Sequence, residues 1–386
     1  MNRKLKMGMV GGSKDAFIGA IHRMAANLDG QIELVCGAFS SNPAKSRETG
    51  ESLYLPSDRI YENFEQMILA EAALPEGERM DFVSIVTPNH VHYAPAALAL
   101  KHGFHVMIDK PLALSMDEAK SLESQVESGG LLLGLTHTYT GYPMIKHARH
   151  MIKSGEFGKI RKVYVEYPQG WLSRRKEETG HKGASWRTDP ARSGISGCMG
   201  DIGTHAENMV EFVTGLRIQR LCAQLNIVVE GRPIDDDGAV LMEFDNGATG
   251  VLTASQIAAG EENDLKIRAY GEKGGVEWSH SDPNSLWLKW LDRPAELLRA
   301  GADRELSPVA QKNIRTPAGH PEGYIEAFAN LYKNFAHQLR ARLNNTTPDP
   351  DLLDVPTVSD GVRGMAFIEK VVESSNAGGI WIPFIY

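Results

Sequence analysis

Leu5-Lys6-Met7-Gly8-Met9-Val10-Gly11-Gly12-Ser13 is a short apolar run that stops on a glycine pair, and just beyond it the periodicity changes. From Phe17 to Leu28 the apolar residues Ile18, Ile21, Ala25 and Leu28 recur on one side of a helix. Strand, glycine turn and helix follow in that order, which is the opening of a βαβ unit. A second apolar strand, Ile32 to Phe39, ends at Ser40-Ser41-Asn42-Pro43, a capping residue followed by proline at a helix start.

The same alternation continues outward. Phe82 to Val86 reads as a buried strand, Val91 to Lys101 as a helix, Phe104 to Ile108 as a strand, Met116 to Val126 as a helix and Leu131 to Leu135 as a strand. Strands alternating with helices imply a parallel sheet covered on both faces, so residues 1–138 are expected to form a Rossmann-type dinucleotide-binding domain.

After a helix over about Gly141 to Lys153 the texture changes. Ile160 to Tyr167 is strand-like, and a polar, tryptophan-bearing loop runs from Gln169 to Met199. Two hairpins follow: Ala239 to Phe244 with Ala248 to Ser255 around Asp245-Asn246-Gly247, and Leu265 to Tyr270 with Val276 to Ser279 around Gly271 to Gly275. Helices over about Pro321 to Leu343 and Thr357 to Glu373 close the chain, and residues 292–320 show no clear period. Residues 139–386 are therefore expected to form an α+β domain on a large, mostly antiparallel, open-faced sheet that binds substrate. Its exposed face suits self-association as a homodimer or homotetramer.

Composition sets the outer limits. The 386 residues carry a formal net charge of −8 and no basic tract, which argues against nucleic acid as a partner. No apolar run is long enough to span a membrane, and the start of the chain offers no apolar leader core; a cytoplasmic protein is expected. The three cysteines, Cys36, Cys198 and Cys222, show neither disulfide nor metal-ligand spacing. The histidine pairs at His102/His105 and His147/His150 lack a third and fourth ligand nearby, so no metal is expected. No G-x-S-x-G elbow is present, which leaves a serine hydrolase unsupported.

The polar residues that can carry chemistry lie at the ends of these elements. Gly11, Gly12 and Ser13, with Phe17 and Ile18 opening the helix, stand where backbone amides approach a pyrophosphate. Gly11 and Gly19 are eight apart, where the G-x-G-x-x-G fingerprint spans five, and Ser13 replaces its second glycine. Ser40, Ser41 and Lys45 occupy the position where an acid ordinarily receives the ribose of NAD. Hydroxyls beside cations can also accept a 2′-phosphate, so both NAD and NADP stay open. Thr87, Pro88, Asn89 and His92 follow the strand Phe82 to Val86, and Asp109-Lys110-Pro111 follow the strand Phe104 to Ile108, both at the edge where open α/β sheets bind ligands. Finally, Gly200-Asp201-Ile202-Gly203-Thr204-His205 opens a helix expected to run from Asp201 to Thr214. Asp201 and His205 share a face one turn apart, Ile202, Ala206, Met209 and Val213 form the buried stripe, and Gly215 ends it. Asp201 as a helix N-cap is compatible with the same placement.

Taken in order, the modified glycine turn, Thr-Pro-Asn with His92, Lys110-Pro111, and Gly200-Asp201 with His205 resemble the Gfo/Idh/MocA oxidoreductases over nearly the whole chain. The family's usual Glu-Lys-Pro is Asp109-Lys110-Pro111 here. The resemblance implies a catalytic set of Lys110, Asp201 and His205. His205 would be the acid/base toward a sugar, sugar-derivative or cyclitol hydroxyl, with hydride passing between that carbon and a nicotinamide. It also points to Trp186 and Arg187 in the loop, with Tyr139 after the last Rossmann strand, as substrate-binding residues; Trp171 and His181 lie in the same loop. Two other readings share these residues: a redox-neutral sugar lyase or glycosidase that oxidises transiently, and a non-catalytic nucleotide-binding sensor.

Overall fold

The computed structural model describes residues 3–301 and 306–386. Met1 and Asn2, at the start read as lacking a leader core, lie outside the described residues, as do residues 302–305 of the expected excursion. The chain divides into two compact units, one of residues 1–141 and 324–362, the other of residues 142–323 and 363–386.

In the first unit β1 (Leu5–Gly11), β2 (Ile32–Ala38), β3 (Phe82–Val86), β4 (His105–Ile108) and β5 (Leu133–Leu135) form a parallel sheet in the order β2-β1-β3-β4-β5. The order reverses between β1 and β3, which places the carboxyl ends of those strands at the switch point where such sheets bind ligands. The strands read as continuous apolar runs because both faces are covered: every residue of β3 and β4 is buried. Helix α1 (Phe17–Leu28) follows β1, and α2 (Pro43–Ser52) begins at the Asn42 cap, whose side chain accepts from the Lys45 amide.

The helix Tyr324–Leu343 belongs to this unit, whereas sequence order alone assigned everything beyond residue 138 to one second domain. Its Phe328, Leu331, Tyr332, Phe335 and Leu339 join Met7, Met9, Ile21 and Phe82 in one buried cluster. At roughly 1.5–3 kcal/mol per buried large apolar side chain, that face outweighs the entropy of a chain excursion returning to the first sheet. The helix Val358–Asn376 straddles the two residue ranges.

The second unit is built on a nine-stranded sheet in the order β13-β12-β11-β10-β6-β9-β8-β7-β14, from β6 (Lys162–Pro168), β7 (Ile218–Asn226), β8 (Asp237–Phe244), β9 (Thr249–Ser255), β10 (Lys266–Tyr270), β11 (Gly274–Ser279), β12 (Ser285–Trp290), β13 (Glu296–Arg299) and β14 (Ile382–Pro383). All neighbours are antiparallel except β6 with β9. The described part of residues 292–320 holds β13 and the short helix Pro308–Gln311. Alternation separates the faces: Val240, Met242 and Phe244 point inward and are buried, while Leu241 on the same strand is 46 % exposed. Among the described residues no helix is long and apolar enough to cross a membrane, and no cluster of three or more His, Cys, Asp or Glu side chains is placed to hold a metal.

Candidate functional site

The residues singled out from the sequence fall in two groups, one in each unit. In the first unit Gly11 and Gly12 both adopt positive φ, +82° and +71°, which only glycine takes without strain. A Cβ on Gly12 would stand 2.9 Å from the Gly19 Cα, and one on Gly19 would stand 2.3 Å from the Gly12 Cα. Gly19 therefore serves to let α1 close on the turn, and the extra residues are looped out between Ser13 and Phe17. Helix α1 has no acidic residue in its first turn and no side-chain cap at Ala16. The turn fits a dinucleotide pyrophosphate: glycines admit close approach and the helix start offers donors. Thr87 Oγ1, at the end of β3, is shielded and has no hydrogen-bond partner among the described residues, a second polar group suited to a ligand at this edge.

At the end of β2, Ser40 Oγ accepts from the Asn42 amide (3.1 Å) and Ser41 is exposed. Two of the neighbouring cations are paired. Lys45 Nζ lies 2.8 Å from Asp15 Oδ2, and Lys14 is ion-paired with Glu48. Asp15 raises the Lys45 ammonium above its ordinary value. The looped-out residues thus bring acid to the side where the second strand carries none.

His92 was read as a cofactor contact, but both of its ring nitrogens face backbone carbonyls, Nδ1 to Pro111 O (2.7 Å) and Nε2 to Thr87 O (2.9 Å). It is fully buried, and that burial lowers its pKa. Its place in the fold is a tie between the Thr87 and Pro111 loops. Asp109 Oδ1 accepts from the Lys110 amide (2.9 Å) and from Thr136 Oγ1 (2.8 Å), which fixes the backbone from which Lys110 projects. Asn89 is buried, and Pro88 and Lys110 are partly exposed at the same edge; Phe17 is 75 % exposed at the start of α1 with Ile18 half-buried behind it. Tyr139 is buried in the short turn Thr138–Gly141 of this unit.

In the second unit the segment around Asp201 starts differently from a simple capped helix. Met199–Gly203 is a π-turn, continued by the α-helix Thr204–Thr214. Asp201 is not its cap. Asp235, far along the chain, accepts from the Gly197 amide through Oδ1 (2.8 Å) and the Met199 amide through Oδ2 (2.9 Å), while its own carbonyl receives the Cys198 amide (2.9 Å). Burial pushes the Asp235 carboxyl above its ordinary range, and the two amides pull it back. The stripe Ile202, Ala206, Met209 and Val213 is buried, and Gly215 ends the helix at φ +69°. Asp201 and His205 are the half-exposed row beside it.

Freed from capping, Asp201 Oδ2 accepts from Arg187 Nε (3.0 Å) and from Gln256 Nε2 (2.9 Å). The Arg187 guanidinium lies over the Trp186 ring at 4.2 Å and over the Trp171 ring at 5.9 Å. Trp171 Nε1 donates to Gln169 Oε1 (2.9 Å), Gln169 Nε2 donates to Asn263 Oδ1 (2.5 Å), and Tyr167 Oη donates to the same oxygen (2.6 Å). The Tyr167 ring then faces His205 at 6.3 Å. Arg187 and the Asp/His row, read separately from the sequence, are therefore one connected group. Gln169, Asn263, Gln256 and Asp235 complete it and went unread. No strand periodicity signalled them, since Gln169 lies in the loop just after β6. His181 serves as a helix cap, its Nδ1 accepting from the Ala184 amide (3.1 Å).

Residues 5–137 match the oxidoreductase family with an NAD-binding Rossmann fold, and residues 145–277 match the GFO/IDH/MocA C-terminal domain. The uncharacterized oxidoreductase YfiI of Bacillus subtilis is 33 % identical over all of this chain and 98 % of its own length. The crystal structure of an oxidoreductase from Sinorhizobium meliloti is 44 % identical, covers 99 % of this chain and 100 % of its own, and superposes with a TM-score of 0.88. That of an inositol dehydrogenase homolog from Azotobacter vinelandii, complexed with NADH and myo-inositol, is 34 % identical over 99 % of this chain and 98 % of its own, with a TM-score of 0.91. With both halves matched and relatives aligned from end to end, the chain belongs to the Gfo/Idh/MocA family of NAD-binding oxidoreductases.

Proposed function

We propose that this oxidoreductase transfers hydride between NAD and a hydroxyl-bearing carbon of a cyclitol or sugar. The observation that carries the reading is the connected group in the second unit. A half-exposed carboxylate and imidazole share one helix row, and indole faces and amides lie beside them. Such a surface offers apolar planes to ring carbons and hydrogen bonds to many hydroxyls. The relative complexed with NADH and myo-inositol supports a ring polyol as the substrate class.

A bound nicotinamide supplies the hydride acceptor or donor. The chain's own groups manage the proton and the charge. His205 takes the hydroxyl proton as the carbon is oxidised and returns it in reduction, a task suited to an imidazole, whose ring nitrogens can both accept and donate a proton. Lys110 steadies the oxygen as charge develops on it. Asp201, fixed by Arg187 and Gln256, orients a substrate hydroxyl. Gly11, Gly12, Ser13, Phe17 and Ile18 hold the pyrophosphate end, Ser40 and Ser41 the ribose, and Thr87, Pro88, Asn89 and Asp109 the edge nearer the ring. NAD is favoured over NADP because Asp15 and Glu48 pair with Lys45 and Lys14 and bring negative charge toward the place a 2′-phosphate would take.

The test is a screen of inositols and sugars for a change in nicotinamide absorbance with each cofactor, on wild type, Lys110→Ala and His205→Ala. Loss of turnover in both variants with NADH still bound is the expected result. Near-normal rates in either removes that residue from the mechanism, and spectra unchanged across the panel for wild type remove the substrate class.

A further inference from the structure

Behind the Asp109-Lys110 turn lies a chain of buried polar groups that hydride transfer does not use. His22 on α1, Ser84 on β3 and Tyr332 on the helix Tyr324–Leu343 are each 0–1 % exposed. Tyr332 Oη lies 2.7 Å from His22 Nδ1 and 2.7 Å from Ser84 Oγ. The imidazole is also packed edge-on against Phe328, with centroids 4.5 Å apart, so its plane is fixed. Its other nitrogen, Nε2, is buried, has no hydrogen-bond partner among the described residues and faces Asp109 Oδ2 at 4.0 Å. The opposite oxygen of that carboxylate carries the Lys110 amide and the Thr136 hydroxyl.

The direction of the chain follows from the chemistry of its members. Burial raises the Tyr332 phenol, so it stays protonated and donates. Burial also holds His22 down at about 4, so the ring is neutral at pH 7, with one nitrogen bare and one protonated. Two hydroxyls and an imidazole can be wired in either direction, and the Asp109 carboxylate facing Nε2 selects one: a bare Nε2 would turn its lone pair on an anion, so Tyr332 donates to Nδ1 and Ser84 to the phenol oxygen. Nδ1 is then the bare nitrogen and the proton sits on Nε2, aimed at Asp109. A buried N–H without an acceptor is costly, and a carboxylate oxygen about 1 Å beyond hydrogen-bond reach is its natural partner.

We propose that His22 is a positioning residue for Lys110: Tyr332 selects its Nε2–H tautomer, and that N–H closes on Asp109 when cofactor loads the turn, fixing the backbone that carries the lysine. This rests on the reading of Lys110 as the group that meets the substrate oxygen.

The decisive measurement uses the intact protein with 15N-labelled histidine, its His22 signals identified by their loss in His22→Gln, with and without NADH. The expected result is a bare Nδ1 and a protonated Nε2, whose proton moves downfield when NADH binds. A proton on Nδ1, or an Nε2–H signal indifferent to NADH, overturns the proposal without any reference to turnover. The second measurement is a double-mutant cycle between Tyr332→Phe and His22→Gln, neighbours in the buried chain that lie outside the cofactor-binding groups. Each should lower kcat about 10- to 100-fold, with KM and the NADH Kd changed less than about twofold, and the pair should cost little more than either alone. Additive losses, or losses confined to Tm, assign the chain to packing and overturn the proposal. Ser84→Ala, which removes a hydroxyl 2.7 Å from Tyr332 Oη and 3.4 Å from His22 Nδ1, gives a milder kcat loss of the same kind if the chain is directional and none if it is not. Normal turnover in Lys110→Ala would instead refute the catalytic reading and leave the tautomer result standing.

Discussion

Replacing Asp235 tests how the second unit sets its reactive row. The carboxylate receives two buried amides, from Gly197 at 2.8 Å and Met199 at 2.9 Å, at the point where the π-turn begins. Asp235→Ala leaves both amides without an acceptor. At roughly 1–3 kcal/mol per orphaned buried donor the loss is about 2–6 kcal/mol, reduced by the desolvation of the carboxylate that no longer has to be borne. A net cost of about 2–4 kcal/mol corresponds to a fall in Tm of about 4–16 °C for a unit of this size. Asp235→Asn keeps one acceptor and turns an N–H toward the other amide, so it should lie between wild type and alanine. Because Met199–Gly203 carries Asp201 and leads into His205, kcat should fall in both variants. The NADH affinity, set by the first unit, should not change. Differential scanning calorimetry and NADH fluorescence titration read the two effects separately. An alanine variant that melts within about 1 °C of wild type would falsify the claim that this carboxylate holds the turn.

Four further outcomes follow from the same geometry. Burial lowers His22 and His105 to about 4 and His137 to about 3, so between about pH 6.5 and pH 4 the unfolded chain binds protons that the folded chain refuses. Stability should fall as pH drops through that window, by at most about 3 kcal/mol for fully buried His22, and a Tm flat from about pH 7 to pH 4.5 would contradict this. Calorimetric titration should find NADH bound at least about tenfold tighter than NADPH, and Asp15→Asn should narrow that ratio; equal affinities for wild type would remove Asp15 and Glu48 from cofactor choice. Arg187→Ala takes away a donor to Asp201 and the cover over Trp186, so kcat/KM should fall about 10- to 100-fold while NADH binding holds, and an unchanged kcat/KM would detach Arg187 from the site. The open sheet face, where Tyr164 and Leu241 are exposed, should pair with a second copy; light scattering that shows a monomer at micromolar concentration would sink that assignment.

What could be read from the sequence divides along the range of the forces involved. Strand β1, its glycine turn and α1 were legible because a short apolar run, a glycine pair and a 3.6-period stripe are local signals that agree with one another. The buried stripe from Ile202 to Val213 and its glycine stop were legible for the same reason. The π-turn before it was not, because its cause is Asp235, more than thirty residues on, and nothing in Gly200-Asp201-Ile202 announces an acceptor supplied from elsewhere. An aspartate at a helix start reads as a cap by propensity, and only a rival acceptor releases it to meet Arg187 and Gln256. The helix Tyr324–Leu343 shows the same limit for packing. Its apolar face is plain in the sequence, but periodicity states that a face is buried, not against which sheet, and Phe328 and Tyr332 find theirs beside His22. His92 adds a case at the ligand edge: its place after Thr-Pro-Asn was plain, but that its ring stands between the Thr87 and Pro111 carbonyls was not. In each instance the residue type was visible and its partner was not. Non-local hydrogen bonds, more than secondary structure, decide which polar residues of this chain remain available for chemistry.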